Sequence, residues 1–162
     1  MKRKPELSLR NRALQYLARR DYGRAELRAK LLPHVEVEND FEQAQPLDLD
    51  ALLDDLTVRG WLSEERAVSQ FVHAKRGRFG TQRIAYELRQ KGIADNLIAE
   101  TLPQLKATEL EAARNVWQRK FGALPQDQKE KTKQFRFMQS RGFSMDVIMK
   151  VLRTADLDEL SN

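Results

Sequence analysis

The chain has no cysteine, two histidines, and no apolar run approaching the roughly 18 residues of a membrane-crossing helix. Without cysteine there is no disulfide framework, no thiol nucleophile and no zinc site of the usual thiolate kind. His34 and His73 lie far apart and lack metal-ligand spacing, so both read as surface residues and no metal is expected. The P-loop, the G-x-S-x-G elbow and the G-x-G-x-x-G fingerprint are all missing. Arg76-Gly77-Arg78-Phe79-Gly80 holds two glycines, but no strand precedes it. The neighbouring carboxylates Asp54-Asp55 and Glu64-Glu65 would point about 100° apart on a helix, too divergent to share a proton or a metal. Neither catalysis nor a cofactor is expected. The basic start Met1-Lys-Arg-Lys-Pro-Glu leads into no apolar segment, so it does not read as a secretory signal, and a cytoplasmic, bacterial-type protein is expected.

Charge is abundant and blocked. The formal balance is +5, with Lys, Arg, Asp and Glu making up 33% of 162 residues. Residues 1–35 carry ten Lys/Arg against three acids, 66–93 seven against one, and 113–153 ten against three. The acids gather in 36–65, where ten face the single Arg59. Such blocks suit a polyanion or an acidic groove as partner. They also suit ordinary solvated helix faces.

Apolar spacing is helical throughout. Leu49, Leu52, Leu53 and Leu56 follow Asp48 as N-cap; Ala67, Val68, Phe71 and Val72 follow Ser63; Ile84 and Leu88 follow Thr81. Leu97, Ile98, Thr101 and Leu102 follow Asp95 and are expected to stop at Pro103. Thr108 with Glu111 has the form of a capping box opening a new helix over Ala113, Val116, Trp117 and Phe121. Val147, Ile148, Val151 and Leu152 follow Ser144. About nine helices and no sheet are expected.

Seven glycines are few enough for each to matter. Leu56-x-x-Arg59-Gly60-Trp61 is echoed by Leu88-x-x-Lys91-Gly92-Ile93 and by Met138-x-x-Arg141-Gly142-Phe143, each ahead of a new helix. A cation in the last turn, then glycine, then an apolar residue packing back describe a helix C-cap. Interleaved with these are Tyr22-Gly23, Phe79-Gly80 and Phe121-Gly122, each behind a pair or more of cations. Recurring turns mean internal repeats. Three tandem three-helix repeats fit, roughly 8–58, 61–104 and 107–154, stacked into an elongated, curved all-α protein. The first repeat carries an acidic loop over 33–47. Gly23, Gly60, Trp61, Gly80, Gly92, Gly122 and Gly142 are the structural turns, with Trp61 expected in the core.

The cations near the turns are the candidate site. Arg19, Arg20, Arg24, Lys75, Arg76, Arg78, Arg83, Arg119, Lys120, Lys131, Lys133 and Arg136 would form a basic ridge if the repeats stack alike. One or two cations per helix end merely complement the macrodipole; Arg78 beyond its helix and Lys131, Lys133 and Arg136 within theirs exceed that. Phosphate contacts of this kind give affinity without sequence choice. A helix-turn-helix reading is open, but only Gln82 and Arg83 offer base-reading groups at a helix start.

Three stretches resemble the RecX regulatory proteins: Arg20-Asp21-Tyr22-Gly23-x-x-Glu26-Leu27-x-x-Lys30-Leu31; Gly60-Trp61-Leu62-Ser63-Glu64-x-x-Ala67-x-x-x-Phe71-Val72 continuing through Lys75-x-Gly77-x-x-Gly80-x-x-x-Ile84-x-x-Glu87-Leu88-x-x-Lys91-Gly92-Ile93; and Phe137-x-x-x-Arg141-Gly142-Phe143-x-x-x-Val147-Ile148. The similarity runs over 9–153; the loop 33–47 matches no family motif. The resemblance implies an all-helical modulator of RecA without enzymatic activity or cofactor. It would bind the RecA–DNA filament in its groove and limit filament extension, ATP hydrolysis, strand exchange and the co-protease activity that drives the SOS response, and with it recombination and repair. A monomer is expected, with weak, sequence-independent binding to single- or double-stranded DNA and no membrane partner. The alternative is a non-specific DNA-binding helical protein acting by competition for DNA.

Overall fold

The computed structural model describes residues 8–35 and 48–160; most of the acidic stretch 33–47 lies outside them. Eight α-helices and no strand occur among the described residues. They are α1 (Leu9–Arg19), α2 (Arg24–Leu31), α3 (Leu49–Val58), α4 (Glu64–Arg76), α5 (Thr81–Gln90), α6 (Asp95–Lys120), α7 (Gln128–Ser140) and α8 (Met145–Leu160), with a 3₁₀ turn at Leu32–His34. Several open as their sequences dictate. The Asp48 carboxylate accepts from the amides of Asp50 (3.0 Å) and Ala51 (3.2 Å), Ser63 Oγ from Arg66 N, and Ser144 Oγ from Val147 N.

One expected boundary is not there. The helices predicted on either side of Pro103 are a single helix, α6, of 26 residues. Proline inside a helix costs about 3 kcal/mol. The helix buries Ile98, Leu105, Ala113, Val116 and Trp117 on its packed side. At about 1.5–3 kcal/mol for each large apolar side chain, that burial outweighs the proline. Thr108 does not cap: its hydroxyl turns back to the Gln104 carbonyl at 3.0 Å, a mid-helix geometry.

The chain divides into two compact units. The first comprises residues up to Gln70 together with Lys91–Ile93; the second comprises Phe71–Gln90 and Ala94 onward. In the first, Leu9, Ala13, Tyr22, Leu27, Leu31, Leu53, Leu56 and Leu62 form the core. In the second, Ala113, Trp117, Met138, Phe143, Ile148 and Val151 do. There Trp117 Nε1 donates to the buried Gln134 side chain at 2.9 Å, and Gln134 Nε2 donates to the Ala123 carbonyl at 3.0 Å, so both side chains are hydrogen-bonded.

Gly60, Gly92, Gly122 and Gly142 have positive φ, from 67° to 88°. Gly23 instead is the extended N-cap of α2. Gly80 and Gly142 meet back to back. The Gly80 amide donates to the Arg141 carbonyl at 2.7 Å and the Gln82 amide to the Gly142 carbonyl at 3.3 Å, bringing two turns into main-chain contact.

Trp61 is not in the core. It is 43% exposed, whereas Ile93 and Phe143, its counterparts in the repeated phrase, are 6% and 1% exposed. Two apolar residues follow Gly60, and Leu62 takes the inward place at 2% exposure. Both the Trp61 and the Leu62 amides donate to the Leu56 carbonyl, at 3.0 and 3.1 Å, closing the cap with the indole outside.

Candidate functional site

Three helix C-termini of the second unit, those of α4, α6 and α7, deliver their following or final cations to one place. Arg78, Arg119, Lys120 and Arg141 surround a cleft of about 240 Å³ whose apolar side is Val116 and Phe137. Lys120 Nζ and Arg141 Cζ each lie 5.1 Å from the Phe137 ring centre, and Phe121 meets that ring edge-on at 5.4 Å. The buried Phe79 ring extends the cluster: Arg83 lies 4.2 Å from its centre, and Lys75, Arg78 and Arg141 between 5.4 and 5.5 Å. Arg119 is fixed by hydrogen bonds to the Gly77 carbonyl (2.6 Å) and the Asn115 carbonyl (3.3 Å).

Complementing helix dipoles does not exhaust this charge. Each helix C-terminus is worth roughly half a negative charge, so three offset about 1.5 of the four positive charges lining the cleft. Among the described residues, Lys75, Arg78, Arg119, Lys120 and Arg141 pair with no carboxylate. The surplus of about two and a half charges faces solvent, beside an apolar floor. That arrangement attracts phosphate or another anion. The volume is below the roughly 300–1,000 Å³ of a drug-sized ligand pocket, which suits part of a chain better than a whole cofactor.

The other candidate cations fall into distinct settings. Arg83 reaches Glu87 at 3.5 Å and the Ser140 carbonyl at 3.3 Å. Arg76 is half-buried, with both terminal nitrogens on Thr81 Oγ1 at 3.3 Å; burial lowers its pKa, and the charge of Glu109 works the other way. These bonds tie it to the start of α5. Lys133 and Arg136 share a face of α7 and border a shallow open depression with Asp127 and Glu130, while Lys131 is exposed elsewhere, about 200° round the helix from Lys133.

In the first unit Arg19 is exposed, but Arg20 and Arg24 are committed to carboxylates. Arg20 forks onto Glu26 and stacks 3.7 Å from the Tyr22 ring centre, and Arg24 holds Asp54 at 2.7 Å. Lys91 approaches Glu26 at 3.4 Å. Burial pushes the Glu26 carboxyl up, but the Arg20 hydrogen bond and the charge of Lys91 outweigh it and hold its pKa below the ordinary value. A depressed carboxylate contributes stability above its unfolded pKa of about 4.3, lost as pH falls through the folded value. Glu26→Gln should therefore be less stable than the parent at pH 7 and lose less between pH 6 and pH 3. Equal acid sensitivity in denaturant titrations would contradict this.

Sequence reasoning passed over three residues. Phe137 near the end of α7 and Arg141, its C-cap residue, are four apart, a spacing that brings the two side chains to the cleft. Glu109 is an acid among apolar neighbours at helical spacing. It is buried and accepts from the amides of Thr81 (3.4 Å) and Ser144 (3.3 Å), at the starts of α5 and α8.

Fold and cleft define a helical protein with a carboxylate-free, aromatic-backed cationic surface. Residues 63–102 match the family model of the second three-helix domain of RecX, and residues 107–152 that of the third. "Regulatory protein RecX" of Leptothrix cholodnii is 48% identical over 94% of this chain and 92% of its own. That of Ralstonia nicotianae is 43% identical over 93% and 89%. The crystal structure of RecX from Lactobacillus salivarius shares the fold at a TM-score of 0.71, with 19% identity over 92% of this chain and 95% of that one. The chain belongs to the RecX family of regulatory proteins.

Proposed function

We propose that this protein regulates RecA by binding the RecA–DNA filament and restraining its extension, and with it ATP hydrolysis, strand exchange and co-protease activity. Three helical repeats, roughly 8–58, 61–104 and 107–154, would contribute separate weak contacts that add through effective concentration. The observation supporting this reading is the cationic cleft, with its unpaired surplus of charge, in a member of a regulatory family. The cleft equally favours a second reading, in which the protein binds DNA directly and competes with RecA for it.

The test is co-sedimentation with RecA on single-stranded DNA, alongside inhibition of RecA's ATPase. Arg78→Glu with Lys120→Glu changes two exposed cations that lie against the rings of Phe79 and Phe137. Stability should fall by about 1 kcal/mol per substitution, from the lost helix-end and ring contacts, leaving the protein folded. Filament binding and ATPase inhibition should fall at least about tenfold, while Lys106→Glu, exposed mid-way along α6, should change neither. An unchanged double variant would reduce the cleft to solvated surface. Inhibition that collapses with salt in step with binding to naked DNA would favour the competition reading.

A further inference from the structure

The first unit carries a surface of different chemistry, centred on the outward-facing Trp61. Three residues earlier, at the end of α3, Val58 is 87% exposed. The guanidinium of Arg59 lies 5.3 Å from the indole centre and that of Arg10 5.9 Å. Both are tied to one carboxylate oxygen of Asp55, Arg10 at 2.9 Å and Arg59 at 3.0 Å. Arg66 pins the turn from its carbonyl side, donating to Gly60 O at 2.7 Å and Trp61 O at 3.4 Å.

Three features separate this patch from the cleft. Its charge nearly cancels: two arginines, Asp55 and the roughly half-negative C-terminus of α3 leave about +0.5, and Asp55 repels phosphate. Val58 offers aliphatic surface, on which a base gains little. With Leu62 in the inward place, Trp61 is left outside, where the same phrase elsewhere buries Ile93 and Phe143. An exposed, braced tryptophan flanked by arginines has the composition of a protein-binding hot spot, with part of the ordering cost already met. Each guanidinium uses a single nitrogen on Asp55, leaving further donors beside the indole.

We propose that Trp61 and Val58 form a docking site for a partner protein, not for nucleic acid. The complementary surface is an aliphatic side chain beside unpaired main-chain carbonyls, as at the C-terminal turn of a helix, with Trp61 entering the apolar recess and Arg10 and Arg59 taking the carbonyls. Resting on the function proposed above, the partner surface is on a RecA protomer. The cleft then takes the anion and the patch takes the protein.

The experiment measures affinity of the full-length protein for RecA without DNA, and separately for a single-stranded oligonucleotide, with sedimentation equilibrium of the protein alone. Trp61→Ala and Val58→Asp change exposed side chains and should melt close to the parent. Each should weaken RecA binding at least about tenfold and leave oligonucleotide affinity within about twofold. Unchanged RecA binding by both variants overturns the docking site and leaves the RecA reading standing. Loss of oligonucleotide affinity in Trp61→Ala overturns it in favour of base stacking. Self-association of the parent that Val58→Asp abolishes assigns the patch to a second copy. A parent that binds RecA in neither the presence nor the absence of DNA sinks the RecA reading itself.

Discussion

Gly80→Ala is expected to lose about 3 kcal/mol of stability or to fail to fold, far more than an alanine at most other turns. A Cβ on Gly80 would sit 2.2 Å from the Gly142 carbonyl oxygen, 2.3 Å from its carbon and 2.4 Å from the Phe143 amide nitrogen. All three are main-chain atoms, so no rotamer change relieves the overlap. The turns must separate, breaking the hydrogen bonds from Gly80 to Arg141 and from Gln82 to Gly142. Overpacking costs about 1–3 kcal/mol where side chains can adjust; here they cannot. Gly142→Ala meets the same wall from the other side, 2.3 Å from Arg83 Cβ, and adds the strain of φ +88°. Gly60→Ala is the control. At φ +75° with nothing within 4 Å of the added carbon, it should cost only the left-handed backbone penalty of about 1–2 kcal/mol. The midpoint of urea unfolding distinguishes them, and a Gly80→Ala protein no weaker than Gly60→Ala would show that the turns are not in contact.

Glu109→Ala should be the costliest polar substitution, at about 2–4 kcal/mol. The buried carboxylate serves two helix starts at once through the Thr81 and Ser144 amides. Its charge also supports the half-buried Arg76, whose Nε has no hydrogen-bond partner among the described residues. Truncation leaves two N-terminal amides and a partly desolvated guanidinium without their anion, and removing one partner from such an arrangement costs more than the arrangement contributes. Glu109→Gln keeps the acceptor and loses the charge, so it should fall between parent and alanine. Thermal melts that place Glu109→Ala within 1 °C of the parent would contradict the bridging role.

Much of this architecture was readable from the chain, because helical spacing and side-chain caps are local. Asp48, Ser63 and Ser144 each announce a helix within three residues. What escaped was decided at a distance. Pro103 and the Thr108/Glu111 pair signal an end and a beginning, yet the packing of Leu105, Ala113 and Trp117 carries one helix through both. The repeated phrase predicts Trp61 inside, as Ile93 and Phe143 are, but Leu62 takes the inward place instead. The cations were visible as a set, but not their partners. Arg20, Arg24 and Arg76 turn to neighbours 5 to 30 residues away, and Arg141, counted among the caps, joins the cleft.

Because α6 runs unbroken from Asp95 to Lys120, the segments matched as second and third domains meet inside one rod of about 39 Å. A fragment beginning at residue 107 would start in mid-rod, with a raw end of unpaired amides where the intact chain has ladder bonds. Dissection at that seam would measure the damage of cutting, not the capacity of the piece.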